Sequence, residues 1–152
     1  MIRMANIDDI GSFVKMKISL FKEFKKDTED YDWDKYSQAL KGYYNEGLLN
    51  EKVVAFLAED NGNTIAISII YFYDICPTLN NLDGKLAMIT DMYTVPEYRN
   101  KGIGYKLLSN IMEHTKKLGY KKVTLHATDS GRILYEKYGF KDRTGEMSYK
   151  FI

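Results

Sequence analysis

The sequence predicts an α/β fold, one domain over residues 1–152 in which helices flank a central mixed β-sheet, in the order β-α-α-β-β-β-α-β-α-β. Three observations carry this. Apolar residues recur at helical spacing in separate stretches, and these alternate with short runs rich in Val, Ile, Thr and Tyr. The run NTIAISIIYFYDI is apolar on both faces, as a strand in the middle of a covered sheet must be. A chain of 152 residues with 45% hydrophobic residues can bury one full core.

Ile2 to Met4 reads as a short first strand. In IDDIGSFVKMKISLFKEF, residues Ile10, Phe13, Val14, Ile18 and Phe21 share one helix face. DWDKYSQALKGYYNEGLL is a second helix, with Gly42 as its expected break. VVAFLAED and NTIAISIIYFYDI are strands joined at Asn61-Gly62-Asn63, a hairpin turn signal. CPTLNNLDG is a loop, and KLAMITDMYTV is the following strand. In YKLLSNIMEHTKKLG the stripe Ile103, Leu107, Leu108, Ile111, Met112 and Leu118 marks a helix, with Lys116, Lys117 and Gly119 suited to its end. KKVTLHAT is a strand, Asp129 or Ser130 is expected to cap the helix GRILYEKY, and Gly139 ends it. The tail KDRTGEMSYKFI is expected to close the sheet as a strand or hairpin.

Composition excludes several function classes. A net charge of +1 gives no global field for nucleic acid or membrane. One cysteine, Cys76, cannot form an internal disulfide and fits a reducing, cytoplasmic setting. The N-terminal MIRMANIDDIGS has no signal-peptide stretch, and no run reaches the ~20 apolar residues of a membrane span. His114 and His126 lie apart in sequence, so no metal site is expected.

The stretch YRNKGIG, residues 98–104, stands between a strand and a helix. The first amides of a helix lack intrahelical partners and favour an anion. Gly102 and Gly104 leave the backbone open to close approach, and Arg99 and Lys101 bring positive charge. A phosphate cradle and a solvated helix start both fit this stretch alone. It is not a P-loop, which needs GxxxxGK, and Leu107 stands where the dinucleotide fingerprint needs its third glycine.

With MYTVPEYRNKGIGYKLL, KKVTLHAT and GRILYEKYGF following in order, residues 86–140 resemble the GNAT superfamily of N-acetyltransferases. RNKGIG matches the [RQ]xxGx[GA] signature of that family, whose amides bind the pyrophosphate of coenzyme A. The resemblance implies an acetyl-CoA-dependent N-acetyltransferase, with acetyl-CoA as acyl donor and no metal. Coenzyme contacts would come from Met92, Tyr93 and Thr94 on the strand and from Arg99, Asn100, Lys101, Gly102, Ile103, Gly104 and Tyr105 in the loop and helix start. An asparagine is frequent in the family seven residues before the active tyrosine. Here Thr128 holds that position, and Thr128 or Ser130 would take over the contact to the coenzyme arm.

Acyl transfer to an amine needs a polarised carbonyl, a deprotonated amine with an ordinary pKa near ~10.4, and a stabilised thiolate. A strand splayed from its neighbour would free amides for the carbonyl. By resemblance Tyr135, in YEKYGF, is the general acid beside the coenzyme sulfur. Asp91 shares strand parity with Ala87, Ile89, Tyr93 and Val95, and a carboxylate in such an apolar row tends towards a raised pKa, which suits a base. His126 is the alternative base, and a water chain is a third route. No cysteine lies in the motif region, so direct attack in a ternary complex is expected.

In the family the acceptor pocket is shaped by the first two helices and their connection, here KKDTEDYDWDKY. Asp30, Asp32 and Trp33 are the candidate substrate-binding residues, suited to a cationic small-molecule or peptide amine. The same acids also suit a solvated helix start. Homodimers are common in the family, and the aromatic-rich strands would supply an interface. The alternative function is a non-catalytic coenzyme-A-binding sensor or interaction domain.

Overall fold

The computed structural model describes residues 1–143 and 145–151, and its five strands lie in one sheet in chain order. The elements are β1 (Ile2–Met4), α1 (Ile10–Phe24), α2 (Trp33–Leu49), β2 (Val53–Asp60), β3 (Asn63–Asp74), β4 (Lys85–Thr94), α3 (Ile103–Lys117), β5 (Val123–Leu125) and α4 (Asp129–Tyr138), with a 3-10 turn at Ile7–Asp9 before α1. All neighbouring strands pair antiparallel except β4 and β5, which are parallel.

The turn chemistry acts as expected at the β2–β3 hairpin. Asn61 and Gly62 both take positive φ, 48° and 77°, between the paired Asp60 and Asn63. That two-residue turn matches the right-handed twist of the strands. The break expected at Gly42 does not occur. Gly42 lies on the exposed face of α2, while Leu40, Tyr44 and Gly47 anchor the helix on both sides of it. The cap of α4 is Thr128 rather than Asp129 or Ser130, its hydroxyl accepting from the Gly131 amide at 3.2 Å.

The sheet separates two apolar clusters. Phe13, Val14 and Met16 of α1 and Leu40 and Tyr44 of α2 cover one face. Leu107, Leu108 and Ile111 of α3 and Tyr135 of α4 cover the other. Along β4 the register slips: Ile69 faces Asp91 while Ile70 faces Ile89, so Thr90 is an extra residue. A bulge of this kind reverses side-chain parity. Ala87 and Ile89 therefore pack with α3 and α4, whereas Tyr93 packs with α1 and α2. The single apolar row expected to contain Ala87, Ile89, Asp91 and Tyr93 is thus split, and Asp91 goes to the α1–α2 side.

The closing strand expected in the tail is not formed among the described residues. Met147, Tyr149 and Phe151 alternate as strand residues do, but they are largely exposed, and no described tail residue pairs with the sheet. Alternation alone does not make a strand without a partner backbone. Thr144 and Ile152, part of the same stretch, lie outside the described residues.

Candidate functional site

The parallel pairing of β4 with β5 ends at Ile89 and Leu125, although β4 runs on to Thr94. From Thr90 onward β4 has no strand neighbour on that edge. A cleft of about 510 Å³ fills the opening. Met92, Tyr93 and Thr94 form one wall, and Leu125, His126, Thr128 and Ser130 form the other. Arg99, Asn100, Gly102, Ile103, Gly104 and Tyr105 close one end, and Tyr135 reaches in from α4.

The loop end of the cleft is the N-terminus of α3. Gly102 is its cap residue, left-handed at φ 77°, with no side chain satisfying the first amides. The helix ladder starts only with the Lys106 amide donating to the Gly102 carbonyl at 3.2 Å. In contrast, α2 is capped by Asp32, whose carboxylate accepts from the Lys35 amide at 2.9 Å, and α4 by Thr128. A Cβ built on Gly102 meets nothing within 4 Å, so the backbone there is open. A 15-residue helix whose uncapped first turn borders a cleft is a place for an anion.

Arg99 does not add free charge to this place. Its Nε donates to the Thr94 carbonyl at 2.9 Å, and its two terminal nitrogens donate to both oxygens of Glu23 at 2.6 and 2.7 Å. That bidentate pair holds the Glu23 carboxyl below the usual range, helped by the Tyr93 hydroxyl, which donates to Glu23 at 3.1 Å. The guanidinium therefore ties α1 to the loop. Lys101 Nζ stands 4.9 Å from the Tyr98 ring. Lys137 on α4, 5.4 Å from the Tyr105 ring, is a further cation lining the cleft.

Tyr135 is almost fully buried. Burial, and then the negative charge of Asp91, push its hydroxyl up to about 12. It stays protonated throughout the neutral range, as a proton donor must. Gly131, one turn earlier, allows this placement: a Cβ there would come within 3.1 Å of Tyr135 Cε2 and 3.2 Å of Thr128 Oγ1.

Asp91, carried across by the bulge, is 3% exposed. One carboxylate oxygen accepts from Lys17 Nζ, and the other from the Tyr44 hydroxyl at 3.3 Å. The apolar row expected around it is instead an ion-paired site. Burial, and then the Asp91 charge, also raise the hydroxyl pKa values of Tyr36 and Tyr44. The same carboxylate thus acts on Tyr135 from one side of the sheet and on the α2 tyrosines from the other. His126 lines the cleft just beyond β5.

Asp30, Asp32 and Trp33 are not brought to the cleft. Asp32 is the α2 cap, Asp30 is exposed, and the Trp33 indole donates to the Thr28 carbonyl at 3.1 Å while Lys22 Nζ stands 4.9 Å from its ring. These residues serve the start of α2. The residues that sequence reasoning passed over are Lys17, Glu23 and Lys137. Lys17 did leave a trace: it interrupts the apolar stripe of α1, four residues after Phe13 and three before Leu20. The partners of Glu23 and Tyr44 are 76 and 47 residues away in sequence, and nothing local marks them.

Among the described residues, no group of three or more His, Cys, Asp or Glu could hold a metal ion, and no helix is long and apolar enough to cross a membrane. The family model described as acetyltransferase (GNAT) domain matches residues 51–142. The chain is 28% identical to the uncharacterized N-acetyltransferase YhfO of Bacillus subtilis, over 97% of this chain and 94% of that one. It is 23% identical to the thialysine N-epsilon-acetyltransferase of Mus musculus, over 99% and 91%. A crystal structure of a predicted acetyltransferase with acetyl-CoA from Clostridium acetobutylicum superposes with a TM-score of 0.89 at 32% identity, covering 99% of this chain and 95% of that one.

Proposed function

This chain belongs to the GNAT family of N-acetyltransferases, and we propose that it moves the acetyl group of acetyl-CoA to a primary amine by direct attack within a ternary complex. The observation that carries the reading is the uncapped N-terminus of α3, which opens onto the gap where β4 and β5 part. Its amides suit a pyrophosphate, and the gap suits an extended pantetheine arm. The relative from Clostridium acetobutylicum, solved with acetyl-CoA, supports that donor.

In this reading the amides of Gly102, Ile103, Gly104 and Tyr105, with Asn100 and Lys101 beside them, hold the diphosphate. Arg99 keeps the loop in place through Thr94 and Glu23. Backbone groups of Met92, Tyr93 and Thr94 on the free edge of β4 hold the arm and polarise the thioester carbonyl. Thr128 and Ser130, on the opposite wall, contact the arm. Tyr135 donates its proton to the departing thiolate, a role worth ~100- to 10,000-fold for a well-placed acid.

Asp91 takes the proton of the incoming ammonium, since its carboxylate is buried and borders the cleft. His126 serves instead if the acceptor enters along β5. Cys76 is exposed on the β3–β4 loop and does not line the cleft, which favours direct attack over a covalent relay. The acceptor is cationic, a small molecule or peptide, because its ammonium must meet Asp91. The thialysine acted on by the mouse relative is such an amine. Both apolar clusters rest on one sheet, which supports a single acetyltransferase domain over 1–152.

The test is thiol release from acetyl-CoA across a panel of polyamines, amino acids and lysine peptides, with calorimetry on coenzyme A. Binding together with amine-dependent release is expected. Tight binding without release on any amine would instead favour a coenzyme-binding sensor, and no binding would reject both.

A further inference from the structure

We propose that Lys17 is itself an acceptor: the active site acetylates its own α1 lysine. The inference rests on the reading of the cleft given above. An acceptor amine has to reach the carboxylate that borders the cleft, and Lys17 Nζ already bonds that carboxylate. The placement is built by the helix. Lys17, Leu20 and Phe24 stand at i, i+3 and i+7 on α1, and Leu20 and Phe24 line the cleft. Lys17 does not itself line the cleft; it stands one turn before Leu20 on the same helix stripe, and its Nζ meets the cleft border through Asp91. Its side chain is 18% exposed, against 72% for Lys117 on α3. The Phe21 ring, 5.8 Å from Nζ, flanks the ammonium on the same helix. The Tyr44 hydroxyl occupies the other Asp91 oxygen, which leaves Oδ1 to the lysine.

The chemistry balances with groups already in place. Lys17 gives one proton to Asp91, and the freed amine attacks the thioester carbonyl. The new C–N bond forms and the C–S bond breaks. The Tyr135 hydroxyl protonates the departing thiolate, and the nitrogen loses its second proton as the amide forms. Of the two protons lost from nitrogen, one ends on the coenzyme thiol by way of Tyr135 and the other goes to water.

The product has a structural consequence. Acetylation removes the positive charge facing Asp91 and leaves a buried carboxylate without its counter-ion, an arrangement that destabilises a fold. The acetylated form is therefore weakened around α1, with a base whose electrostatic surroundings have changed.

The experiment incubates the full chain with acetyl-CoA alone and follows intact mass and peptide mapping over time. In parallel, thiol release is measured with the amine panel. Expected is a gain of about 42 Da located on Lys17. Its rate constant should be independent of protein concentration, fall in Tyr135→Phe and vanish in Lys17→Arg, which keeps the charge on Asp91. Exposed Lys117 reports background chemical acetylation and should lag well behind. Acetylated protein should unfold at a lower temperature than untreated protein. Amine-dependent thiol release without modification of Lys17, or with Lys17 no faster than Lys117, overturns this inference and leaves the acetyltransferase reading standing. Absence of both coenzyme binding and thiol release overturns the two together.

Discussion

Substituting alanine separately at Gly102 and Gly104 distinguishes what the loop backbone holds from what it merely tolerates. At Gly102 the chain is left-handed, φ 77° and ψ 3°, so a Cβ is strained by about 1–2 kcal/mol whatever room surrounds it. For a chain of this size that corresponds to a fall of roughly 2–8 °C in Tm. The new methyl meets no protein atom within 4 Å, so the rest of the penalty falls on whatever approaches the α3 amides from the cleft. Losing one charge-assisted hydrogen bond there costs about 1.5–3 kcal/mol, or roughly 10- to 150-fold in the Kd for coenzyme A. Gly104 is ordinary helix, and its Cβ would touch only Leu134 Cδ2 at 3.5 Å, a normal contact. Gly104→Ala should keep stability or raise it by up to about 1 kcal/mol, with a small change in affinity. Thermal unfolding and calorimetry with coenzyme A on both variants decide the matter. If Gly102→Ala binds as tightly as the parent, or Gly104→Ala loses more affinity than Gly102→Ala, the amide-cradle reasoning is wrong.

Tyr135→Phe should lower turnover ~100-fold or more while coenzyme affinity moves little, measured by steady-state kinetics beside calorimetry; unchanged turnover would reject the acid role. The raised Tyr135 pKa also fixes a stability window. The folded value of about 12 exceeds the ordinary value of 10, so its contribution is intact below pH 10 and is lost as pH rises towards 12. The advantage in unfolding free energy that the parent holds over Tyr135→Phe should therefore shrink by on the order of 2–3 kcal/mol across that interval, read from denaturant melts. Glu23→Gln leaves the Arg99 charge uncompensated beside the α3 terminus. Coenzyme A should then bind about two- to fivefold tighter at low ionic strength, with the gain lost in salt; equal affinity at both ionic strengths would show that the guanidinium does not face the phosphates.

The parts of this site that were legible in the sequence are those made by consecutive residues. YRNKGIG encodes its own geometry: the left-handed Gly102, the absent side-chain cap and the start of α3 all lie within seven residues. Tyr135 was legible for the same reason, since Gly131, Tyr135 and Gly139 share one short helix and its end. The caps were harder. Thr128, Asp129 and Ser130 are all competent cap residues, and only the extended backbone at Thr128 selects among them. Long-range pairings leave no local mark: nothing in YRNKGIG shows that the Arg99 guanidinium is paired with Glu23 of α1.

The bulge at Thr90 is the feature on which both halves of the proposed chemistry turn. Strict alternation along β4 would have put Asp91 with Ala87 and Ile89, under α3 and α4, where neither Lys17 nor Tyr44 could reach it. One extra residue moves the carboxylate to the opposite layer, and pairing with β5 ends at Ile89, the residue just before it. The opening between β4 and β5 and the buried Asp91 carboxylate therefore begin at the same point on one strand, which is where the proposed chemistry needs both. In the proposed chemistry donor and acceptor meet from opposite layers of the sheet, because β4 changes its parity and loses its neighbour within two residues. Periodicity in sequence reports an average over a strand, and this site is built where that average fails.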